Sequence, residues 1–270
     1  MKSRNFPHDL LWKNIRSLPY FRGFLRAVEG KYYEDIDINE PVLDLGCGDG
    51  HFSSVTLSDR PVCLIGVDPE WRSLNEARQY SVFSHLVCAR GDYLPFAKSF
   101  FSTTMSNSVL EHIPDVDSVV TEIHRVMRVG STLVVCVPND NFTRNLSIAR
   151  FFDHLGLKLA AAWYRTFFNK ISRHFHPDPH AVWTNRLEKS GFKIERSWKY
   201  FTPISLGILE LGHYFGLPSL INRHIFGRWI LFPSPSNPIL YLVYQWLSKH
   251  VAKDQVTPDG AYSFFISTTK

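Results

Sequence analysis

The stretch VLDLGCGDGHFSS, residues 42–54, decides the fold of this chain. Its apolar start predicts a buried strand, and glycines at positions 46, 48 and 50 predict a turn into a helix that begins near His51. Glycine at alternate positions lets the backbone adopt angles closed to other residues and approach a ligand closely. Because the following helix also offers its N-terminus, the stretch indicates a ligand site.

Strands and helices alternate after this stretch. The segments VCLIGVDP, SHLVCARGDYLPF, FSTTMSNSV and STLVVCVPN are predicted strands, and EWRSLNEARQY and DVDSVVTEIHRVMR are predicted helices. A helix in HAVWTNRLEKSGF and strands in FKIERSWKYF and AYSFFISTTK complete the pattern. The strands are continuous apolar runs, which is typical of a mostly parallel sheet with helices on both faces.

Composition and charge restrict the classes of partner. The 270 residues can bury one core, and the formal net charge of +5 permits an anionic partner. Nucleic acid is not expected without a localised basic face. Four cysteines without CxxC spacing predict reduced thiols in a cytoplasmic protein. Neither a signal peptide nor a membrane span is expected, because no apolar window is long enough.

The acid that ends the second predicted strand indicates an adenosine-type ligand. Asp68 follows Gly48 by 20 residues, where a carboxylate can accept the hydroxyls of a ribose. A dinucleotide loop has the spacing G-x-G-x-x-G, whereas here Gly50 comes one residue early and position 51 is histidine. Asp44 also precedes the first glycine by two residues. The spacing therefore disfavours NAD.

The pattern D-x-G-x-G-x-G resembles motif I of the class I S-adenosylmethionine-dependent methyltransferases. GVDPE, GDYLPF and the segment from SNSVLEHIPD to VVCVPN are similar to later motifs of that family, in its type 11 branch. The resemblance covers residues 40–139, and weakly 180–201 and 261–269. It implies a Rossmann-like, seven-stranded α/β fold. RVGS stands where the family has a Pro-Gly-Gly turn, so we expect a local change there.

The resemblance implies S-adenosyl-L-methionine as the cofactor and a set of residues that bind it. Asp68 would bind the ribose, Asp92 would accept from the adenine amino group, and Tyr93 would lie beside the ring. The full set is Asp44, Gly46, Cys47, Gly48, Gly50, Asp68, Pro69, Gly91, Asp92, Tyr93, Ser106 and Asn107.

Histidines are the candidates for catalysis. Methyl transfer needs orientation, and it needs a base only if the acceptor holds its proton at neutral pH. His112, His176 and His213 are the candidate residues. No metal is expected in SRHFHPDPH, because prolines break the ligand spacing, and Asp178 is instead predicted to cap the next helix.

The predicted organisation is an N-terminal helical arm, residues 1–35, followed by a methyltransferase domain, residues 36–270. Two helical lid insertions are expected at about 141–178 and 202–258, both rich in aromatic side chains. The aromatic side chains of each insertion either form the core of a lid subdomain or form a surface that binds an apolar substrate or a membrane. Oligomeric state stays open.

The predicted function is methyl transfer from S-adenosylmethionine to a small or lipid-like acceptor, with oxygen as the first choice of atom. Two alternatives stay open, which are methylation of a polar natural product or sugar, and a non-catalytic binding module. Methylation of nucleic-acid bases is disfavoured, because SNSV stands where an Asn/Asp-Pro-Pro-Tyr/Phe motif would be. Contact with a membrane would be peripheral.

Overall fold

A single mixed sheet organises the chain. The computed structural model describes residues 9–60, 62–227, 229–230, 232, 234 and 237–270. The sheet has seven strands in the order β3-β2-β1-β4-β5-β7-β6, and β7 runs antiparallel to both of its neighbours. The strands are β1 Val42–Leu45, β2 Leu64–Asp68, β3 Phe83–Cys88, β4 Phe101–Asn107, β5 Met127–Pro138, β6 Phe192–Tyr200 and β7 Tyr262–Thr269. The predicted Rossmann-like α/β fold is confirmed.

Helices cover both faces of the sheet. Those before β5 are α1 Leu10–Ile15, α2 Tyr20–Lys31, α3 His51–Thr56, α4 Trp71–Ala77 and α5 Val116–Val126. Those after β5 are α6 Asp140–Arg144, α7 Ser147–His154, α8 Lys158–Ser172, α9 His180–Lys189, α10 Pro203–Phe215, α11 Leu217–Phe226 and α12 Pro238–Lys253. A 3-10 turn, Leu110–His112, follows β4.

Two apolar cores lie on opposite faces of the sheet, because successive strand residues point to opposite sides. Leu43 and Leu45 of β1 face a core that contains α5 and α9, with Trp183 fully buried in it. Val42 faces the other core, which holds α1, α2, α6, α7, α8, α10 and α12. The N-terminal helices and the two inserted segments therefore share one core.

The carboxyl ends of the parallel strands form the edge where a ligand site is expected. Asp44 of β1 is in register with Gly66 of β2 and with Met105 of β4. The loops after β1, β2 and β4 therefore leave the sheet side by side.

The RVGS segment lies in the first residues of β5, and the local change expected there stays a prediction. Helix α5 ends at Val126 and β5 begins at the next residue, four residues before the predicted start. Gly130 has a φ of 75°, and the register between β4 and β5 shifts between Phe101 and Thr103. This shift is a β-bulge, and irregular strand therefore follows α5 directly. The bulge lies at the edge of the sheet opposite the expected site.

The segments at about 141–178 and 202–258 contain helices, and their role as lid insertions stays a prediction. The first holds α6–α8 and the second α10–α12. Positions 1–8 of the predicted arm, and positions 228, 231, 233, 235 and 236 of the second insertion, lie outside the described residues. Within the described chain no single helix is long and apolar enough to cross a membrane, although Pro203–Phe215 and Ser219–Phe226 would suffice together, bent by 52°.

Candidate functional site

The three glycines of the loop after β1 have different roles. All have positive φ, at 76° for Gly46, 54° for Gly48 and 75° for Gly50. A Cβ on Gly46 would lie 2.3 Å from Val109, and one on Gly50 would lie 2.6 Å from Phe83. A Cβ on Gly48 would meet no protein atom within 4 Å. Two glycines thus permit internal packing, whereas Gly48 faces open space where a ligand can approach the backbone.

Asp68 holds the glycine loop in place. The backbone N–H of Gly48 donates to its Oδ2 at 3.0 Å, and that of Glu70 donates to its Oδ1 at 2.8 Å. The N–H groups of Gly46 and Cys47 both donate to the carbonyl of Val67, at 2.7 and 3.1 Å. The end of β2 therefore fixes the loop before any ligand binds. Binding of a ribose by Asp68 stays a prediction.

Asp44 is a buried acid at the end of β1. Its Oδ2 accepts a hydrogen bond of 2.5 Å from the hydroxyl of Ser53, and the residue is only 3% exposed. Burial, reinforced by the charge of Asp68, raises the pKa of Asp44 to about 7. Asp44 is therefore partly protonated at neutral pH, and a ligand cation beside it would favour the charged form.

A cavity of about 270 Å³ opens over the loop. Five of the predicted cofactor residues line it, namely Asp44, Gly46, Cys47, Gly48 and Asn107. Other residues that line it were not predicted, including Arg22, Arg26, His51, Ser108, Arg223 and Trp229. Most of these come from α2 and from the second insertion, so the cavity is closed by segments far from the glycine loop in sequence.

The arginines in the cavity differ in their partners. Arg26 pairs with Glu29 at 2.7 Å, and Arg223 pairs with Glu76. Arg22 lies 5.4 Å from the ring of Trp229, and no carboxylate of the described chain is within 4 Å of it. Arg22 is thus the cation available for an anionic group of a ligand.

Other predicted cofactor residues lie along the same edge, outside the lining of the cavity. Asp92 pairs with Arg90, whose Nε donates at 2.9 Å, and Tyr93 is 81% exposed. The hydroxyl of Ser106 donates to the carbonyl of Leu45 at 3.2 Å, which ties β4 to β1. Gly50 and Asp68 support the loop as described, and Pro69 and Gly91 follow β2 and β3. Their contacts with a cofactor stay predictions.

Glu29 connects α2 to the end of β4. Its carboxylate is fully buried and accepts hydrogen bonds of 2.8 Å from both Asn107 Nδ2 and Ser108 Oγ. It also pairs with Arg26, and this pairing raises the pKa of the guanidinium. The sequence does carry a signal for this residue, because Glu29 is an acid within the apolar stripe of α2.

One candidate histidine, His112, lies beside a histidine that the sequence did not single out, His174. His112 Nδ1 donates to the carbonyl of Arg173 at 3.0 Å, and its ring lies 5.4 Å from that of His174. His213 packs against Phe168 at 5.2 Å, and its Nδ1 donates to the carbonyl of its own helix. Burial lowers the pKa of His112 and of His213, and lowers that of His174 to about 3. All three imidazoles are therefore neutral at pH 7.

His176 lies apart from these rings. Its Nε2 donates to the carbonyl of Pro114 at 3.1 Å, and its ring is 6.4 Å from that of Trp183. The prediction that Asp178 caps α9 is wrong, because the cap position is Pro179 and no side chain caps the helix. Asp178 instead pairs with Arg186 at 3.0 Å, since an ion pair across the first turns satisfies both charges.

Comparisons with known proteins agree with this geometry. Residues 43–135 match the family described as "Methyltransferase domain". An uncharacterized methyltransferase of Mycobacterium sp. (strain KMS) is 34% identical over 94 residues, which is 35% of this chain and 37% of the relative. A malonyl-[acyl-carrier protein] O-methyltransferase of Legionella pneumophila is 32% identical over 97 residues, 34% of each chain. The chain thus spans about a third of the length of these relatives.

A solved structure is similar over almost the whole chain. The S-adenosylmethionine-dependent methyltransferase of Thermotoga maritima aligns with a TM-score of 0.57 at 16% identity, over 93% of this chain and 91% of its own. The seven-stranded sheet with its glycine loop after β1 is a class I methyltransferase fold. Residues 43–135 form a methyltransferase domain of that family, which confirms the resemblance inferred from the sequence.

Proposed function

We propose that the protein transfers a methyl group from S-adenosyl-L-methionine to a small or lipid-like acceptor, with oxygen as the methylated atom. The observation that carries this proposal is Gly48, a left-handed glycine with open space beside it in a cavity that also contains Arg22. This arrangement suits a ligand that needs close backbone approach and carries a carboxylate.

The residues present fit that cofactor. Gly48 leaves room for the ligand against the backbone, and Arg22 would pair with the methionine carboxylate. Asp44 offers a buried carboxyl for the methionine ammonium, and Asp68 and Asp92 would bind the ribose and the adenine. When bound, the cofactor supplies an electrophilic methyl group on a positively charged sulfur.

The chain would contribute orientation, exclusion of water and proton transfer. The bond from the methyl carbon to sulfur breaks as the bond to the acceptor oxygen forms, so the two must lie in line. His112 has its Nδ1–H held by the carbonyl of Arg173, which leaves Nε2 as the atom that can accept the acceptor's proton. Its lowered pKa keeps that nitrogen unprotonated at neutral pH.

The surface of the inserted helices supports a lipid-like acceptor. Large apolar side chains are exposed on α7, α8, α10 and α11, including Phe151, Leu159, Trp163, Ile204, Phe215, Ile221, Ile225 and Phe226. Lys158 and Lys170 lie on α8 among them. Exposed apolar side chains of this size are typical of interaction surfaces when they form a patch, and cations beside them favour anionic headgroups. We therefore propose that these helices act as lids and contact a membrane surface peripherally.

The test is transfer of label from methyl-labelled S-adenosylmethionine to a cell extract that is then partitioned into organic and aqueous phases. The proposal expects protein-dependent label in the organic phase. Label confined to the aqueous phase would favour a polar natural product or a sugar as the acceptor. Cofactor binding without label in either phase would favour the non-catalytic module.

A pair of variants tests the division between cofactor and substrate residues. Asp68→Ala should abolish cofactor binding, because it removes both the ribose partner and the acceptor that holds the glycine loop. His176→Ala should leave binding intact, because its hydrogen bond goes to the scaffold. Equal loss in both variants, measured by calorimetric titration, would contradict the proposed division.

A further inference from the structure

A cluster of possible metal ligands lies at the turn that follows β4. Glu111, His112 and His174 each offer one donor atom, and the three atoms lie within 4.8 Å of one another. Glu111 and His112 belong to the 3-10 turn after β4, three residues beyond Ser108, which lines the cavity. His174 follows α8. Two distant segments therefore converge at this point.

The cluster contains buried polar atoms that lack partners. Glu111 is 1% exposed, and its Oε2 has no hydrogen-bond partner within the described chain. The Nδ1 atom of His174 is buried and unpartnered in the same way. No Lys or Arg of the described residues lies within 4 Å of the Glu111 carboxylate. Ionising a buried carboxyl that has no cation beside it is costly, so a bound cation would stabilise the ionised form of Glu111.

His112 is oriented as a metal ligand would be. Its Nδ1–H donates to the carbonyl of Arg173 at 3.0 Å, which leaves the lone pair on Nε2. A ligating histidine commonly donates its second N–H to a backbone carbonyl in this manner. Nε2 lies 3.7 Å from Glu111 Oε1, close to the separation of about 3.4 Å between two donors on a tetrahedral zinc ion.

We propose that Glu111, His112 and His174 bind one divalent transition-metal ion, of which Zn²⁺ is the best match. Two imidazoles and one carboxylate are the donor set of catalytic zinc sites, which keep a further position open. This site is distinct from the residues that would hold the cofactor, and its binding of metal does not depend on the proposed methyl transfer.

The role of the ion does rest on the proposed function. The open position would take the oxygen of the acceptor, and the ion would lower the pKa of that hydroxyl. With its Nε2 on the ion, His112 would no longer take the hydroxyl proton directly, so with the metal bound that proton would pass to water. The oxygen would then form its bond to the methyl carbon while the carbon–sulfur bond breaks. No electrons are exchanged with an outside reagent. The acceptor is then an alcohol, a phenol or an acid with an oxygen free to bind metal.

The experiment measures metal binding directly, on the whole chain after treatment with EDTA. Zn²⁺ is titrated by calorimetry, and Co²⁺ is added as a spectroscopic probe of nitrogen and oxygen ligands. We expect one ion per chain for the wild type. Glu111→Gln and His174→Asn should weaken Zn²⁺ binding by about 100-fold or more, since removal of even an outer-shell partner costs 10–100-fold. His176→Asn is the control and should bind as the wild type does.

Three results would overturn the proposal. They are a wild type that binds no Zn²⁺, variants that bind it as tightly as the wild type, and equal loss in the His176→Asn control. Titration with S-adenosylhomocysteine in the same samples shows that each variant is folded. If that ligand binds and Zn²⁺ does not, the metal site fails while the proposed function stands.

Discussion

The proposed donor side and the proposed acceptor side of this protein are built in different ways. The donor side is a backbone site, in which consecutive residues of one loop and one acid of the neighbouring strand form the surface. The acceptor side is a side-chain site, to which α2, the turn after β4 and the segment after α8 each contribute. The geometry of a loop can be predicted from the spacing of its residues. The geometry of a side-chain cluster depends on how the whole chain packs.

The largest expected effect separates the open glycine from a glycine that only shapes the fold. Gly48→Ala should abolish cofactor binding, because the new Cβ enters the space that the ligand needs. Gly130→Ala is the matched control, since it has a similar positive φ and equally open surroundings at the opposite edge. Both variants carry about 1–2 kcal/mol of backbone strain. Similar binding by the two variants in calorimetric titration would break the comparison.

The next effect concerns the acceptor side and its buried acid. Burial raises the pKa of Glu111 to about 8, above its ordinary value of 4.5. The folded state therefore holds the proton more tightly, and the metal-free wild type loses stability as pH rises from 4.5 to 8. Glu111→Gln lacks this loss and should be more stable at pH 8.5, by up to about 5 kcal/mol. At pH 4 the two should be alike.

Thermal melts in EDTA at both pH values measure this difference. Glu188→Gln is the matched control, because Glu188 is an exposed acid on α9. Its melting temperature should follow the wild type at both pH values. If the melting temperature of Glu111→Gln follows that of the wild type at both pH values, then ionising Glu111 does not destabilise the fold. The acceptor side would then not contain an acid whose pKa is raised by burial.

Arg22 tests whether the N-terminal helices complete the donor side. Arg22→Gln should weaken S-adenosylmethionine binding roughly 10-fold to 100-fold, because a charged hydrogen bond contributes about 1.5–3 kcal/mol. Methylthioadenosine lacks the carboxylate, so the wild type and the variant should bind it equally. Arg78→Gln, on the exposed surface of α4 beside Trp71, is the control variant. A loss that is the same for both ligands would place Arg22 outside the carboxylate site.

The smallest effect concerns the exposed apolar side chains of the inserted helices. Leu159 is 89% exposed on α8, and Leu159→Ser should reduce association with anionic vesicles about 3-fold to 10-fold. Val129→Ser is the control, because Val129 is 81% exposed on β5 at the opposite edge of the sheet. Sedimentation with vesicles measures both. An equal reduction would indicate general stickiness instead of an oriented docking face.

The sequence predicts the strands and the glycine loop well because their signals are local. The strand pattern, the loop and Asp68 follow from apolar runs and from spacings of a few residues. The sequence does not predict the early start of β5, because Met127–Gly130 contains no apolar run. Met127 is in the strand because it pairs with Phe101 of β4. The hydrogen bonds of Glu29 to Asn107 and Ser108 could not be predicted. The spacing of residues in a sequence does not indicate which helix packs over the end of which strand. Asp178 was predicted to cap α9 but instead pairs with Arg186, which lies in the last turn of that helix.

The most direct test of the central claim compares two nucleotide ligands on the wild-type protein. S-adenosylhomocysteine at 100 times its dissociation constant should stabilise the fold by about 2.7 kcal/mol and raise the melting temperature by several degrees. NAD at the same concentration should leave the melting temperature unchanged, because the glycine spacing and His51 do not suit a dinucleotide. Stabilisation by NAD and none by S-adenosylhomocysteine would contradict the account.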